Sequence, residues 1–100
     1  MAQLHLPTPS NGPLYTAIAV ELRHVRASIE RLAEVLVGDE HFVTHYLDQF
    51  QEFDLLAQYA DESASLLDRL AGGNDPDTAV GGVRLGVVQQ RLRHALMQAA

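Results

Sequence analysis

The sequence predicts an all-α protein, an antiparallel three-helix bundle that follows a flexible N-terminal arm. Two long stretches, residues 14–37 and 40–71, carry apolar residues at alternating spacings of three and four, the period of an amphipathic helix. No stretch shows the strict apolar–polar alternation of a strand, and 100 residues are the length of one domain. We therefore expect one helical domain over residues 14–100 and an arm over residues 1–13.

The arm is expected to lack helix because it contains Pro7, Pro9 and Pro13, and proline disfavours helix at the residue before it. Pro13 itself suits the first turn of the following helix, where its missing N–H costs nothing. The alternative is that Leu4 and Leu6 dock on the bundle or on a partner.

The first helix is expected to run from about Leu14 to Val37. Gly38 supplies its end, since glycine readily enters the left-handed conformation that follows many helices. The expected packing row keeps the spacing of three and four throughout and consists of Tyr15, Ile18, Leu22, Val25, Ile29, Leu32 and Leu36.

The second helix is expected to run unbroken from Glu40 to Ala71, with Asp39 as its N-cap, and to turn back along the first. It would be about 48 Å long, roughly two turns longer than its neighbour. Its uncovered end requires either a bend near Ser63–Ser65 or a second chain. We expect a homodimer whose interface consists of Phe42, Tyr46, Phe50, Phe53, Ala57, Ala60, Ala64 and Leu67.

A third helix is expected to end near residue 98, but its start is open. Asp75 and Pro76 have the residue types of an N-cap and a first helical residue. Three glycines lie between residues 81 and 86, and each costs about 1 kcal/mol inside a helix relative to alanine. The helix therefore starts either at Pro76 or at Val83.

Acidic and basic residues are unevenly distributed along the chain. Residues 39–71 hold eight acidic residues against Arg69 alone, whereas the chain beyond Asp77 contains arginine but no acidic residue. We expect the third helix to lie against the acidic flank of the second, within one chain or from another. Exposed ion pairs are worth about 0–1 kcal/mol each, so they would set register more than stability.

Composition excludes several classes of function. Cysteine and lysine are both absent, so thiolate nucleophiles, zinc–thiolate sites and Schiff bases are excluded. The net charge of −6 disfavours nucleic acid and membranes as partners, and no apolar run approaches the ~20 residues of a membrane span. With neither a signal-peptide pattern nor a nucleophile elbow, we expect a cytoplasmic protein that is not an enzyme and holds no cofactor.

A metal site is the sharpest chemical candidate. His41, His45, Asp48 and Glu52 follow one another at spacings that place four side chains on one face of a helix. Imidazole and carboxylate together suit zinc, iron, nickel or copper. This face points away from the expected packing row, so we interpret it as a solvated polar surface and keep the metal-binding bundle as the alternative.

Histidine phosphotransfer is a further alternative, because such modules are small and helical and His41, His45 or His24 could serve. Glu21 and His24 also have the spacing used by di-iron carboxylate bundles, but no second such pair exists. We therefore expect a small, non-enzymatic, bacterial-type interaction or regulatory protein. It would act by burying a helical face against itself or a protein partner.

Overall fold

The computed structural model describes residues 11–99, and every regular element among them is a helix. The helices are α1 (Gly12–Val37), α2 (Glu40–His45), α3 (Leu47–Ala71), α4 (Pro76–Gly81) and α5 (Gly86–Ala99). The expected all-α class is confirmed, and no strand occurs in this part of the chain. Residues 1–10 of the expected arm lie outside the described residues.

Helix α1 begins two residues earlier than expected and ends where expected. Asn11 is its N-cap, Pro13 lies in its first turn, and the Tyr15 N–H donates to the Asn11 carbonyl at 2.9 Å. Gly38 follows the helix with φ −75° and ψ −6°, so the expected left-handed ending is wrong. Helix α2 follows, with Asp39 as its N-cap. The Asp39 carboxylate accepts a hydrogen bond from the Phe42 N–H at 3.1 Å, which confirms the expected cap.

The expected unbroken second helix is wrong, because the chain leaves helical geometry at Tyr46, with φ −131° and ψ 37°. The break brings two rings together that a straight helix would hold about 12 Å apart along its axis. The ring centroids of Phe42 and Phe50 lie 5.2 Å apart, in an edge-to-face arrangement. The Thr44 hydroxyl also donates to the Glu40 carbonyl at 2.8 Å, a side-chain bond that often bends helices.

Helices α1 and α3 form an antiparallel hairpin. Arg23 pairs with Asp68, whereas Arg26, further along α1, pairs with Asp61, which lies earlier in α3. The row of α1 that is buried or half-buried also keeps the spacing of three and four, and it consists of Tyr15, Ala19, Leu22, Arg26, Ile29, Ala33 and Leu36. It faces a row of small residues on α3, in which Ala57, Ala60 and Ala64 are buried.

Three members of the expected α1 row are therefore misplaced: Ile18, Val25 and Leu32 are 39%, 49% and 49% exposed. Two rows one residue apart have the same spacing, so periodicity alone does not distinguish them. In the structure the packed row is the one that contains Ala19, fully buried, and Arg26, which reaches Asp61 at 3.1 Å. Small residues on both helices allow the two axes to approach closely.

The structure divides the expected third helix into two helices. Helix α4 begins at Pro76 with Asp75 as its N-cap, but it ends at Gly81, and α5 starts only at Gly86. Helix α4 packs on α3 and α5 packs on α4, whereas no comparable packing joins either to α1 among the described residues. The helices thus stack in the order α1, α3 and α4–α5, and the molecule measures 74 × 25 × 17 Å.

Candidate functional site

The structure separates the four candidate metal ligands into two pairs. His41 and His45 lie on α2, with ring centroids 4.1 Å apart, whereas Asp48 and Glu52 lie on α3 beyond the break at Tyr46. The break interrupts the helical period that would have placed all four on one face. Over residues 11–99 no group of three or more histidine or acidic side chains could hold a metal ion.

The other histidine candidates lie on the surface as well. Glu21 and His24 are both exposed on α1. The Nδ1 atom of His45 lies 2.9 Å from the His41 carbonyl oxygen, so its ring is held by the backbone of its own helix. None of these side chains is enclosed in a site that would exclude water.

The expected interface residues divide between the interior and the surface. Ala57, Ala60 and Ala64 are buried against α1, so another chain could reach them only by displacing α1. Phe42, Phe50, Phe53 and Leu67 are half-buried, while Tyr46 is 45% exposed. The three phenylalanines form one cluster with Tyr46, in which neighbouring ring centroids lie 4.9 to 6.2 Å apart.

A different surface of α1 carries large apolar side chains that are exposed. Five of them lie along one row and are between 39% and 73% exposed, and we call this row the α1 stripe: Leu14, Ile18, Val25, Leu32 and Val35. Glu21 and Ser28 occupy the two remaining positions of the same heptad spacing. An amphipathic helix normally buries such a row, but this one faces solvent.

The two edges of the α1–α3 hairpin differ in chemistry. One edge is closed by the ion pairs Arg23–Asp68 and Arg26–Asp61. At 100° per residue, the α1 stripe lies on the opposite edge of the row that packs on α3. Leu56, 47% exposed, lies on the same open edge, because on α3 it projects away from the flank of Asp61 and Asp68.

The interior of the chain does not compensate for this exposure. The buried apolar residues are small: Ala19, Ala57, Ala60, Ala64, Ala79, Val80 and Val83. None of the large side chains in the described part of the chain is fully buried. A substantial part of the apolar side-chain area therefore remains accessible to water.

Sequence periodicity shows which apolar residues share a row, but it does not show whether that row is buried or exposed. The predicted packing row includes Ile18, Val25 and Leu32, but the structure places these three residues in an exposed apolar row. Leu14 and Val35 extend that row at both ends. A search for a second apolar row beside the packed one would have identified all five residues.

One acidic residue is buried, and its role is structural. Glu62, 6% exposed, accepts hydrogen bonds from the backbone N–H and the guanidinium of Arg84. Burial raises the pKa of the Glu62 carboxyl, but the bonds from Arg84 and the positive charges of Arg84 and Arg69 outweigh it, so the pKa lies below its ordinary value of 4.5. A carboxylate that stays ionised in this way anchors the C-terminal helices to α3 and is poorly suited to proton transfer at neutral pH.

No helix in residues 11–99 combines the length and the hydropathy needed to cross a membrane. Comparison with protein-family models, curated proteins and solved structures finds no match for this chain. We identify the α1 stripe as the candidate functional site because it is an exposed apolar row at the spacing of a packed helix.

Proposed function

We propose that the chain is a small, non-enzymatic, cytoplasmic interaction protein that forms a homodimer by burying an apolar helix face. The observation that carries this proposal is the exposure of the α1 stripe, whose five large side chains follow the heptad spacing of a packed helix. The lack of cysteine is in keeping with a reducing compartment.

The shape of the monomer supports self-association. Among residues 11–99, α1 packs mainly against α3, with a smaller contact to α2, and its second apolar row is exposed. A second hairpin docked on that row would surround α1 with helices on two sides, as in a four-helix bundle. In this proposal the antiparallel bundle expected from the sequence is completed between two chains.

The same proposal accounts for the small interior. A chain whose large side chains are partly exposed gains stability when another surface removes them from water, by about 25 cal/mol for each Å² of apolar area. The dimer would thus supply part of the hydrophobic stabilisation that the single chain lacks.

Sedimentation velocity, from low micromolar to several hundred micromolar protein, tests this proposal. We expect a reversible monomer–dimer equilibrium for the wild type and a shift of at least about tenfold towards monomer for Val25→Glu, since its carboxylate would be desolvated in the interface. Val20→Glu is the matched control, because Val20 is 45% exposed on another face of α1. A monomer at every concentration, or equal weakening by both substitutions, would overturn the proposal.

A further inference from the structure

We infer that the surface covering the α1 stripe is the α1 stripe of a second copy running antiparallel, with Val25 beside the two-fold axis. This inference rests on the proposed function and adds the identity of the contact face and its orientation. It follows from the pattern of the stripe, from the charges beside it and from the area available.

The apolar residues of the stripe are spaced almost symmetrically about Val25. Ile18 lies seven residues before it and Leu32 seven residues after it. Leu14 and Val35 lie eleven residues before and ten residues after it. In a two-fold contact, a residue that touches a second residue of the partner is touched by it in return.

This symmetry makes the stripe complementary to itself. A second α1 turned through 180° about Val25 places Ile18 of each copy against Leu32 of the other. Leu14 then lies near Val35 of the opposite chain, and both ends of the contact are apolar. An off-centre or parallel alignment also brings apolar residues together, but only the antiparallel alignment through Val25 pairs the two ends in this way.

The charged residues that border the stripe favour the same orientation. Glu21 and Arg31 are exposed, and they lie four residues before and six residues after Val25. The Arg31 guanidinium donates to the Ser28 hydroxyl at 3.0 Å and so points back towards the stripe. In the antiparallel dimer Glu21 faces the end of the partner helix that carries Arg31, whereas a parallel dimer sets like charges opposite each other.

The accessible area allows a specific but weak dimer. Full coverage of the stripe and of Leu56 on two copies would remove on the order of 1,000 Å² from water, the lower limit of specific interfaces. Helix α4 packs on α3 and α5 packs on α4, and the side chains of the stripe remain exposed. Interfaces at this lower limit are typical of weak or transient association.

Disulfide formation between single-cysteine variants tests the orientation. The chain has no cysteine, so each introduced thiol is unique. We expect Val25→Cys to form a covalent dimer at least about tenfold faster than Val20→Cys or Leu14→Cys, because an interface raises the local thiol concentration. Two Leu14 residues lie about 33 Å apart along the axis of the antiparallel dimer, too far for a disulfide.

A mixture of the Leu14→Cys and Val35→Cys variants provides the complementary measurement. The antiparallel dimer predicts that the mixed disulfide forms faster than either disulfide between identical variants. Self-linkage of Leu14→Cys as fast as that of Val25→Cys would instead establish a parallel dimer and overturn the inference.

Sedimentation of the same variants in reducing buffer distinguishes failure of the antiparallel contact from failure of self-association. A reversible dimer without preferential linkage at residue 25 would overturn the antiparallel contact and leave self-association intact. A monomer at all concentrations would overturn both.

Discussion

Glu62 holds the linker between α4 and α5 against α3 by accepting the backbone N–H of Arg84. Because Glu62 is 6% exposed, removing its carboxylate would take away the acceptor of that N–H in a largely enclosed position. On the same side of α3, the Nε atom of Arg69 donates to the Ala79 carbonyl at 3.0 Å. Two polar contacts therefore connect the C-terminal helices to the hairpin.

We expect Glu62→Ala to destabilise the protein by about 1–3 kcal/mol, the cost of an unsatisfied buried donor. Glu62→Gln keeps an acceptor oxygen and should cost only about 1 kcal/mol. Urea unfolding measures both losses, and amide exchange should show that protection falls mainly in α4 and α5. Glu52→Gln, exposed on the same helix, is the control. Equal loss for Glu52→Gln and Glu62→Gln would contradict the assigned anchor.

The Glu62 contact should also depend on pH. Its pKa is lowered in the folded protein, so ionised Glu62 stabilises the fold above the ordinary value of 4.5, and this contribution is lost as pH falls through the lower, folded-state pKa. We expect the difference in unfolding free energy between wild type and Glu62→Gln to be constant near neutral pH and to shrink below about pH 4.5. A difference that grows on acidification would have the wrong sign.

Two glycines near α4 and α5 should respond oppositely to alanine. A Cβ atom on Gly82 would lie 2.9 Å from the Arg69 guanidinium, which would have to leave the Ala79 carbonyl. A Cβ atom on Gly86 would meet no atom within 4 Å. We expect Gly82→Ala to cost roughly 1 kcal/mol and Gly86→Ala to leave stability unchanged or raise it by up to about 1 kcal/mol.

Thermal unfolding of the two alanine variants checks this pair of expectations. The Gly82→Ala loss should disappear in a background of Arg69→Ala, because the group that must move is then absent. If Gly82→Ala were as well tolerated as Gly86→Ala, the Arg69 guanidinium would be free to move without loss.

Local signals in the sequence predicted the helix ends better than the helix interiors. The caps Asp39 and Asp75 were predicted from residue type, because each depends on neighbouring backbone only, whereas the start at Pro76 was one of two alternatives. The break at Tyr46 has no glycine or proline to announce it. The contact between Phe42 and Phe50 that accompanies the break joins two helices and is not evident from local sequence.

Periodicity also does not predict the buried contacts. In the described part of the chain, the expected contact between the acidic flank of α3 and the later arginines is limited to Glu62 and Arg84, since Asp61 and Asp68 pair with arginines of α1 instead. That Glu62 would be buried was not foreseen, because its burial results from the position of the α4–α5 linker. Likewise the choice between the rows of Val25 and Arg26 is decided by Ala57, Ala60 and Ala64 on the opposite helix.

Helix α2 should depend on Phe42 for its position. We expect Phe42→Ala to destabilise the protein by about 1–2 kcal/mol, since it removes a half-buried ring and its edge-to-face contact with Phe50. Exchange protection should fall over residues 40–45 and persist in the second half of α3. Leu47→Ala, at a side chain that is 59% exposed beside the break, is the control. Uniform loss of protection along α3 would contradict a local role for Phe42.

The pair Arg26–Asp61 should stabilise the hairpin modestly and fix its register. Arg26 lies in the packed row between Leu22 and Ile29, with its guanidinium 3.1 Å from Asp61. A double-mutant cycle with Arg26→Ala and Asp61→Ala should give a coupling of about 0.5–1 kcal/mol, because both side chains are about one-third to one-half exposed.

The pair Arg26–Glu30 is the internal comparison, because it lies within α1 and joins no second helix. Its coupling should be about 0.3–0.5 kcal/mol. Raising the salt concentration should weaken this more exposed pair first, since screening acts most strongly on exposed charges. Equal couplings for both pairs at every salt concentration would mean that Asp61 adds nothing beyond a surface contact. The alanine row on α3 would then set the register of the hairpin alone.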